Sequence, residues 1–230
     1  MLNKWSCTDV DELLIRGNGR LLYQGPEGRL ARWGERGVIA SDVIGPELPT
    51  LLRRLGLDKE PLFCLRGPYA VENAHALGLE TETPCVQWVY TLDTPPQIPE
   101  ADVRPLTEDY AALCAAHYHP GDDDPTYILS RIRAGQLWGL FVEGELAAFI
   151  GTHHDGSMGV LVVLPAYRRR GLGATLEGWL IAKQLRQGWR PYCHVYLDNE
   201  ASHALQARLG LTPAPDHVMW AWQPNREERL

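Results

Sequence analysis

The sequence predicts an α/β (α+β) protein with a mixed, mostly antiparallel sheet, built as a smaller N-terminal unit and a larger C-terminal one. Three observations carry that expectation. The apolar, β-branched run Val160-Leu161-Val162-Val163-Leu164 suits a strand buried on both faces, and it feeds a basic, glycine-bearing loop that opens a helix. Just upstream, Leu137 to Val142 and Leu146 to Gly151 read as two strands joined by Glu143-Gly144-Glu145 in a hairpin. Finally, Thr94-Pro95-Pro96-Gln97-Ile98-Pro99 holds three prolines in six residues, which prevents a helix and makes a stiff extended connector. A boundary there separates an N-terminal α/β domain, residues 1–95, from a second domain, residues 101–230, with the proline-rich linker at 96–100.

With 230 residues, 45% of them apolar, the chain can bury one large core or two small ones. A formal charge of -7 disfavours nucleic acid and anionic membranes as partners and favours cationic small molecules. Five cysteines, Cys7, Cys64, Cys85, Cys114 and Cys193, are scattered without C-x-x-C pairs, no apolar run approaches transmembrane length, and the first residues lack a signal-peptide core. Reduced thiols in a cytoplasmic protein are the expectation.

In the N-terminal part, Asp9 to Leu14 reads as a capped helix stopped by Gly17-Asn18-Gly19. Short strands follow at 21–23, 30–33 and 38–40, then a helix from Pro49 to Leu55, a strand at Leu62–Leu65, a helix near Tyr69–Ala76 and a strand from Val86 to Thr91. None of these carries a motif.

The C-terminal part opens with a strand at Val103–Leu106 and a helix capped at Thr107 that runs to about His117. The segment from His117 to Pro125 holds His119 and three aspartates, which read as a solvated acidic cap for the helix starting near Tyr127. Its alternating histidines lack a third fixed ligand, so no metal is expected. After the hairpin, the turn His154-Asp155-Gly156-Ser157 leads into Val160–Leu164, giving an antiparallel meander. Further strands are expected at Tyr192–Tyr196 and Val218–Trp222, with a helix from about Asp198 to Leu209 between them.

Between strand and helix stand Arg168, Arg169, Arg170, Gly171, Leu172, Gly173 and Ala174. Such a loop presents backbone N–H groups at the positive end of a helix dipole, and its glycines admit a phosphate where a Cβ would block it. The dinucleotide G-x-G-x-x-G fails at Leu176, and no G-x-x-x-x-G-K-[ST] occurs. What remains, Arg168-x-x-Gly171-x-Gly173, resembles the acyl-CoA signature Q/R-x-x-G-x-G/A of the GNAT N-acetyltransferase superfamily. Val163-Leu164-Pro165-Ala166-Tyr167-Arg168 before it, the N-x-x-S of Asn199 and Ser202, and Leu209-Gly210-Leu211 resemble the family's C-terminal half, over about residues 101 to 223. The pattern is most similar to the FR47-like and glycine N-acyltransferase branch. There the first half is often a reduced copy of the fold without the phosphate loop, and no R-x-x-G-x-G precedes residue 100 here, so that half is read as structural or substrate-shaping.

The resemblance implies acetyl-CoA or another acyl-CoA, without metal, held by the backbone of Leu161, Val162 and Val163, by the loop from Arg168 to Ala174, and by Asn199 and Ser202, which as helix-start residues also serve as a cap. It implies transfer to a small-molecule amine or amino acid, and, since in the family the connection between the first two helices commonly covers the acceptor, that the aspartates of residues 122–124 attract that amine; a monomer or homodimer is expected. An alkylammonium, with a pKa of roughly 10, must lose a proton near neutral pH. Family members commonly use a glutamate in the central strand, where this chain has valines. The nearest candidates are His153, His154 and Asp155, with His154 as base and Asp155 orienting it or attracting the substrate. The family's thiolate-protonating tyrosine is replaced by Gln206, leaving His203, Tyr196 or His194 to assist. Cys193 reads as core. A non-catalytic acyl-CoA-binding or sensing protein, and a phosphate-binding domain unrelated to CoA, are the competing readings.

Overall fold

The computed structural model describes residues 4–34, 38–118 and 124–224. Its N-terminal half runs α1 (Thr8–Ile15), β1 (Gly19–Gly25), β2 (Gly28–Trp33), β3 (Val38–Ser41), α2 (Leu48–Leu55), β4 (Leu62–Arg66), α3 (Ala70–Leu77), β5 (Glu80–Thr81) and β6 (Cys85–Val89). Pro49 in the first turn of α2 and the left-handed Gly56 after it show why that helix starts and stops where it does. No side chain caps α1. Asp9 there is buried and paired with the buried guanidinium of Arg66 from β4, so its charge serves packing of the helix on the sheet.

The C-terminal half runs β7 (Asp102–Pro105), a 3₁₀ turn at Glu108–Tyr110, α4 (Ala111–Tyr118), α5 (Thr126–Arg133), β8 (Leu137–Val142), β9 (Glu145–Thr152), β10 (Met158–Val163), α6 (Leu172–Arg186), β11 (Tyr192–Tyr196), α7 (Glu200–Leu209) and β12 (Thr212–Trp222). Four of its strands form one antiparallel sheet in the order β10-β9-β8-β7. The other sheet has the order β1-β2-β3-β4-β12-β6-β11, with β5 beside β12, and its pairings are antiparallel except β3 with β4. β12 therefore lies between β4 and β6, and β11 pairs with β6. The two halves of the chain share this sheet.

α6 is the central helix, its Leu176, Leu180 and Ile181 fully buried in the main core. Each such side chain contributes roughly 1.5–3 kcal/mol on burial. The proline-rich segment lies along this helix: a Cβ on Gly178 would come 2.5 Å from Ile98 Cγ2 and 3.4 Å from Pro96 Cγ, so glycine is what lets the connector approach.

The run expected to be buried on both faces is not. β10 ends its sheet, and Leu161, Val162 and Val163 are half-buried. Its apolar side chains border a cleft rather than another strand. All five cysteines are buried and unpaired, and no described helix is long and apolar enough to cross a membrane.

Candidate active site

β10 and β11 are the end strands of the two sheets, and they face each other without pairing. What parts them is local. Gly159 pairs with Gly151 and Val162 with Phe149, so β10 spends three residues where β9 spends two. At this bulge Val160 has φ 55°, a left-handed conformation that is uncommon for a β-branched side chain and is held by the surrounding packing. Between the strands opens a cavity of about 640 Å³, lined by Met158 to Leu161 on one side and Cys193 to Tyr196 on the other. End strands present unpaired backbone donors and acceptors, which is what an extended amide-bearing ligand needs.

A short 3₁₀ turn at Pro165–Tyr167 carries β10 into the loop. Arg168, Arg169 and Arg170 are exposed; Arg168 Nε donates to Val163 O at 3.2 Å, Arg170 lies over the Tyr167 ring, and none pairs with a carboxylate among the described residues. Gly171 caps α6 at φ 79°, and no side chain bonds the first N–H groups of the helix. A Cβ on Gly173 would meet only Val163 Cγ2 at 3.5 Å and Leu161 Cδ2 at 4.0 Å, ordinary contacts. The space over this turn is open, so three arginines, free helix N–H groups and a Cβ-free approach fit a pyrophosphate.

The turn before β10 is held from outside. Asp155, buried, accepts from the Ser157 N–H at 2.9 Å and hydroxyl at 2.7 Å, so its carboxylate locks the turn. Arg16 at the end of α1 donates to Gly156 O. Arg131 Nη2 donates to His154 Nδ1 at 2.8 Å. Arginine has no lone pair to offer, so this bond occupies the one basic nitrogen of neutral His154, against its expected role as base. His153 Nδ1 hydrogen-bonds the Tyr127 hydroxyl, and its Nε2 lies over Gly159.

Other expected residues divide. Tyr196 lines the cavity, but its hydroxyl donates to Glu82, and burial together with that carboxylate pushes its pKa up, which weakens it as an acid. His203 is not in the lining: its Nδ1 accepts from Trp88 Nε1 at 3.0 Å, leaving Nε2 to donate to Tyr196 O at 3.1 Å. Both ring nitrogens are thus engaged in tying α7 to the sheet. Asn199 caps α7 by accepting from Ser202 N at 3.1 Å, and both line the cavity. Val162 and Val163 pair with β9, while Leu161 borders the cavity. His119 and Asp122–Asp123 lie outside the described residues; among those described, no three His, Cys, Asp or Glu side chains form a metal-ligand set.

Two further lining residues stand out. Glu177 of α6 is buried, and Gln206 of α7 donates to its Oε1 at 2.9 Å. Burial pushes Glu177 up to about 7, against the lowering effect of that hydrogen bond. Its sequence signal was the spacing: Gly173, Glu177, Leu180 and Gln184 share one helix face, and a carboxylate in that stripe is anomalous. His194 of β11 meets Gln87 Oε1 through Nε2 at 3.3 Å. Gln87 spends its amide N–H groups on Trp5 O and Ser6 O, so its oxygen must accept and His194 Nε2 must donate. That leaves Nδ1 of His194 with a lone pair. Burial holds His194 below the usual histidine range, Asp9 and Asp155 opposing and Arg66 adding to the shift.

The acetyltransferase (GNAT) family profile matches residues 103–211. No curated protein matches the sequence. The fold recurs in a Drosophila protein (TM-score 0.66, 17% identity, covering 86% of this chain and 75% of the other). It recurs in a GCN5-related N-acetyltransferase from Kribbella flavida (0.60, 14%, 95% and 94%) and in a GNAT-family acetyltransferase from Colwellia psychrerythraea (0.55, 14%, 96% and 97%). At these identities the likeness is one of fold, and it extends over both halves of the chain. The stretch that the profile matches, residues 103–211, holds the splayed strands β10 and β11 and the arginine-glycine loop opening α6, and over that stretch the chain is similar to the GNAT acetyltransferase family.

Proposed function

We propose that this protein transfers an acetyl or other short acyl group from acyl-CoA to the amine of a small molecule. The observation that carries the proposal is the cleft between β10 and β11, which has the arginine-glycine loop at the mouth of α6. The loop from Arg168 to Ala174 binds the pyrophosphate, and the edge backbone at Leu161 to Val163 pairs with the amide-bearing arm. When bound, acyl-CoA supplies a thioester whose C–S bond breaks as the C–N bond forms. One proton must leave the ammonium and one must reach the sulfur. His194 Nδ1, unprotonated at neutral pH, accepts the first directly or through water, with Gln87 fixing the ring. The N-terminal half contributes walls: Trp33, Glu80 and Glu82 line the cavity.

The second reading, acyl-CoA binding without turnover, draws support from the bond that Arg131 makes to His154 and from the lack of a carboxylate in β10. Calorimetry with acetyl-CoA on wild type and on Gly173→Asp tests the site. Asp in the first turn of a helix suits its dipole, so the variant keeps its melting temperature, while the added carboxylate weakens binding by at least about tenfold. Unchanged affinity removes the loop from the site. Release of free thiol on adding amines then separates transfer from binding.

A further inference from the structure

The charge in the cavity is of one sign. Its described lining includes four carboxylates, Glu80, Glu82, Asp155 and Glu177, and no lysine or arginine. None of the four stands in an ion pair with a described residue. Their partners are neutral donors instead: Trp222 Nε1 for Glu80 at 2.9 Å, the Tyr196 hydroxyl for Glu82, Ser157 for Asp155 and the Gln206 amide for Glu177. Glu177, only 3% exposed, has its Oε2 buried in this wall with no hydrogen-bond partner among the described residues. Arg131 stands behind His154 and borders a separate cleft with Arg16.

Between the carboxylates the walls are flat and aromatic. Trp33 and Trp220 meet edge to face at 5.9 Å, and Tyr118 stacks on Tyr127 at 6.1 Å; all four line the cavity. Ring faces attract a desolvated cation and hold a planar apolar body, and a carboxylate beside a ring fixes where the cation sits.

We propose that the acyl acceptor is a monocationic amine on an aromatic or other flat apolar body, with no carboxylate of its own. The inference rests on the acyl-transfer reading and narrows it, setting amino acids aside. An α-carboxylate entering this cavity would find carboxylates and ring faces, with no described lysine or arginine to receive it, and the carboxylates of Glu80, Glu82 and Asp155 oppose its binding.

The test is a matched pair, 2-phenylethylamine against phenylalanine, which differ by the carboxylate alone, each measured by calorimetry with saturating CoA and by thiol release with acetyl-CoA. The amine should bind at least about tenfold tighter than the amino acid. A Glu80→Gln, Glu82→Gln double variant should weaken the amine by about tenfold and leave acetyl-CoA affinity unchanged. Equal or better binding of phenylalanine, no binding of the amine by protein that binds acetyl-CoA, or indifference to the double substitution each overturns the proposal. Amine binding without thiol release would sustain the acceptor class while refuting acyl transfer. Release with both compounds at equal efficiency would do the reverse.

Discussion

Gln206 on α7 donates its side-chain N–H to Glu177 on α6 at 2.9 Å, joining two helices across the wall of the cavity and leaving Glu177 Oε2 and Gln206 Oε1 buried without partners. Once Glu177 carries a proton, it has one to offer an acceptor; ionised, it buries a charge on one hydrogen bond.

This gives stability a definite dependence on pH. Burial raises the folded pKa of Glu177 from 4.5 to about 7. The folded state therefore holds the proton that the unfolded state has released, and the contribution is fully present below pH 4.5 and is lost as pH rises through about 7. Across that window wild type should lose on the order of 3 kcal/mol relative to Glu177→Gln. Urea melts of both proteins at pH 4 and pH 8 check it; parallel curves at the two values would place Glu177 in contact with water.

The histidines should separate kinetically. His194 keeps a free lone pair, whereas that of His154 is taken by Arg131. His194→Ala should lower kcat by roughly 10²-fold or more with acetyl-CoA affinity unchanged, and His154→Ala by only about threefold. Steady-state kinetics on the folded variants decides, and the reverse order would restore His154 as the base.

Gly159 is a glycine because His153 lies on it: a Cβ there would come 2.1 Å from His153 Nε2. Gly159→Ala should displace the ring, break its bond to Tyr127 and cost about 1–3 kcal/mol. We expect the acceptor KM to rise while calorimetry shows the same acetyl-CoA affinity. An unmoved His153 ring signal in NMR spectra would contradict this packing.

Arg16 ties the N-terminal helix to the turn before β10, bonding Gly156 O, Arg190 O and Glu12 from a side chain only 1% exposed. Arg16→Met leaves the carboxylate of Glu12 buried and uncompensated, at a cost of about 3–5 kcal/mol. Denaturant midpoints measure the loss, and a change below about 1 kcal/mol would mean that the turn stands without the helix.

Local patterns were legible from residue order alone. The hairpin at Glu143-Gly144-Glu145, the helix opened by Gly171 and the N-cap at Asn199 each follow from interactions within a few residues, and all are present. The site side chains were less legible. Asp155 and His154, read as catalytic candidates, line the cavity, but their partners, Ser157 and Arg131, decide what their atoms are free to do. His203 satisfies its ring on Trp88, 115 residues away in the chain, and spacing could not have shown it.

The sequence by itself determined most of the order of strands and helices, the arginine-glycine loop between β10 and α6 and the likeness to the GNAT family, because those depend on periodicity, turn chemistry and a motif of near neighbours. Only the tertiary structure decided that β12 runs between β4 and β6, that Val160 bulges so that β10 parts from β11, and that carboxylates from both halves of the chain line one cavity. Strand pairing and burial are set by groups distant in the chain, and burial is what turns Glu177 from a surface-type residue on a helix into an acid near neutrality.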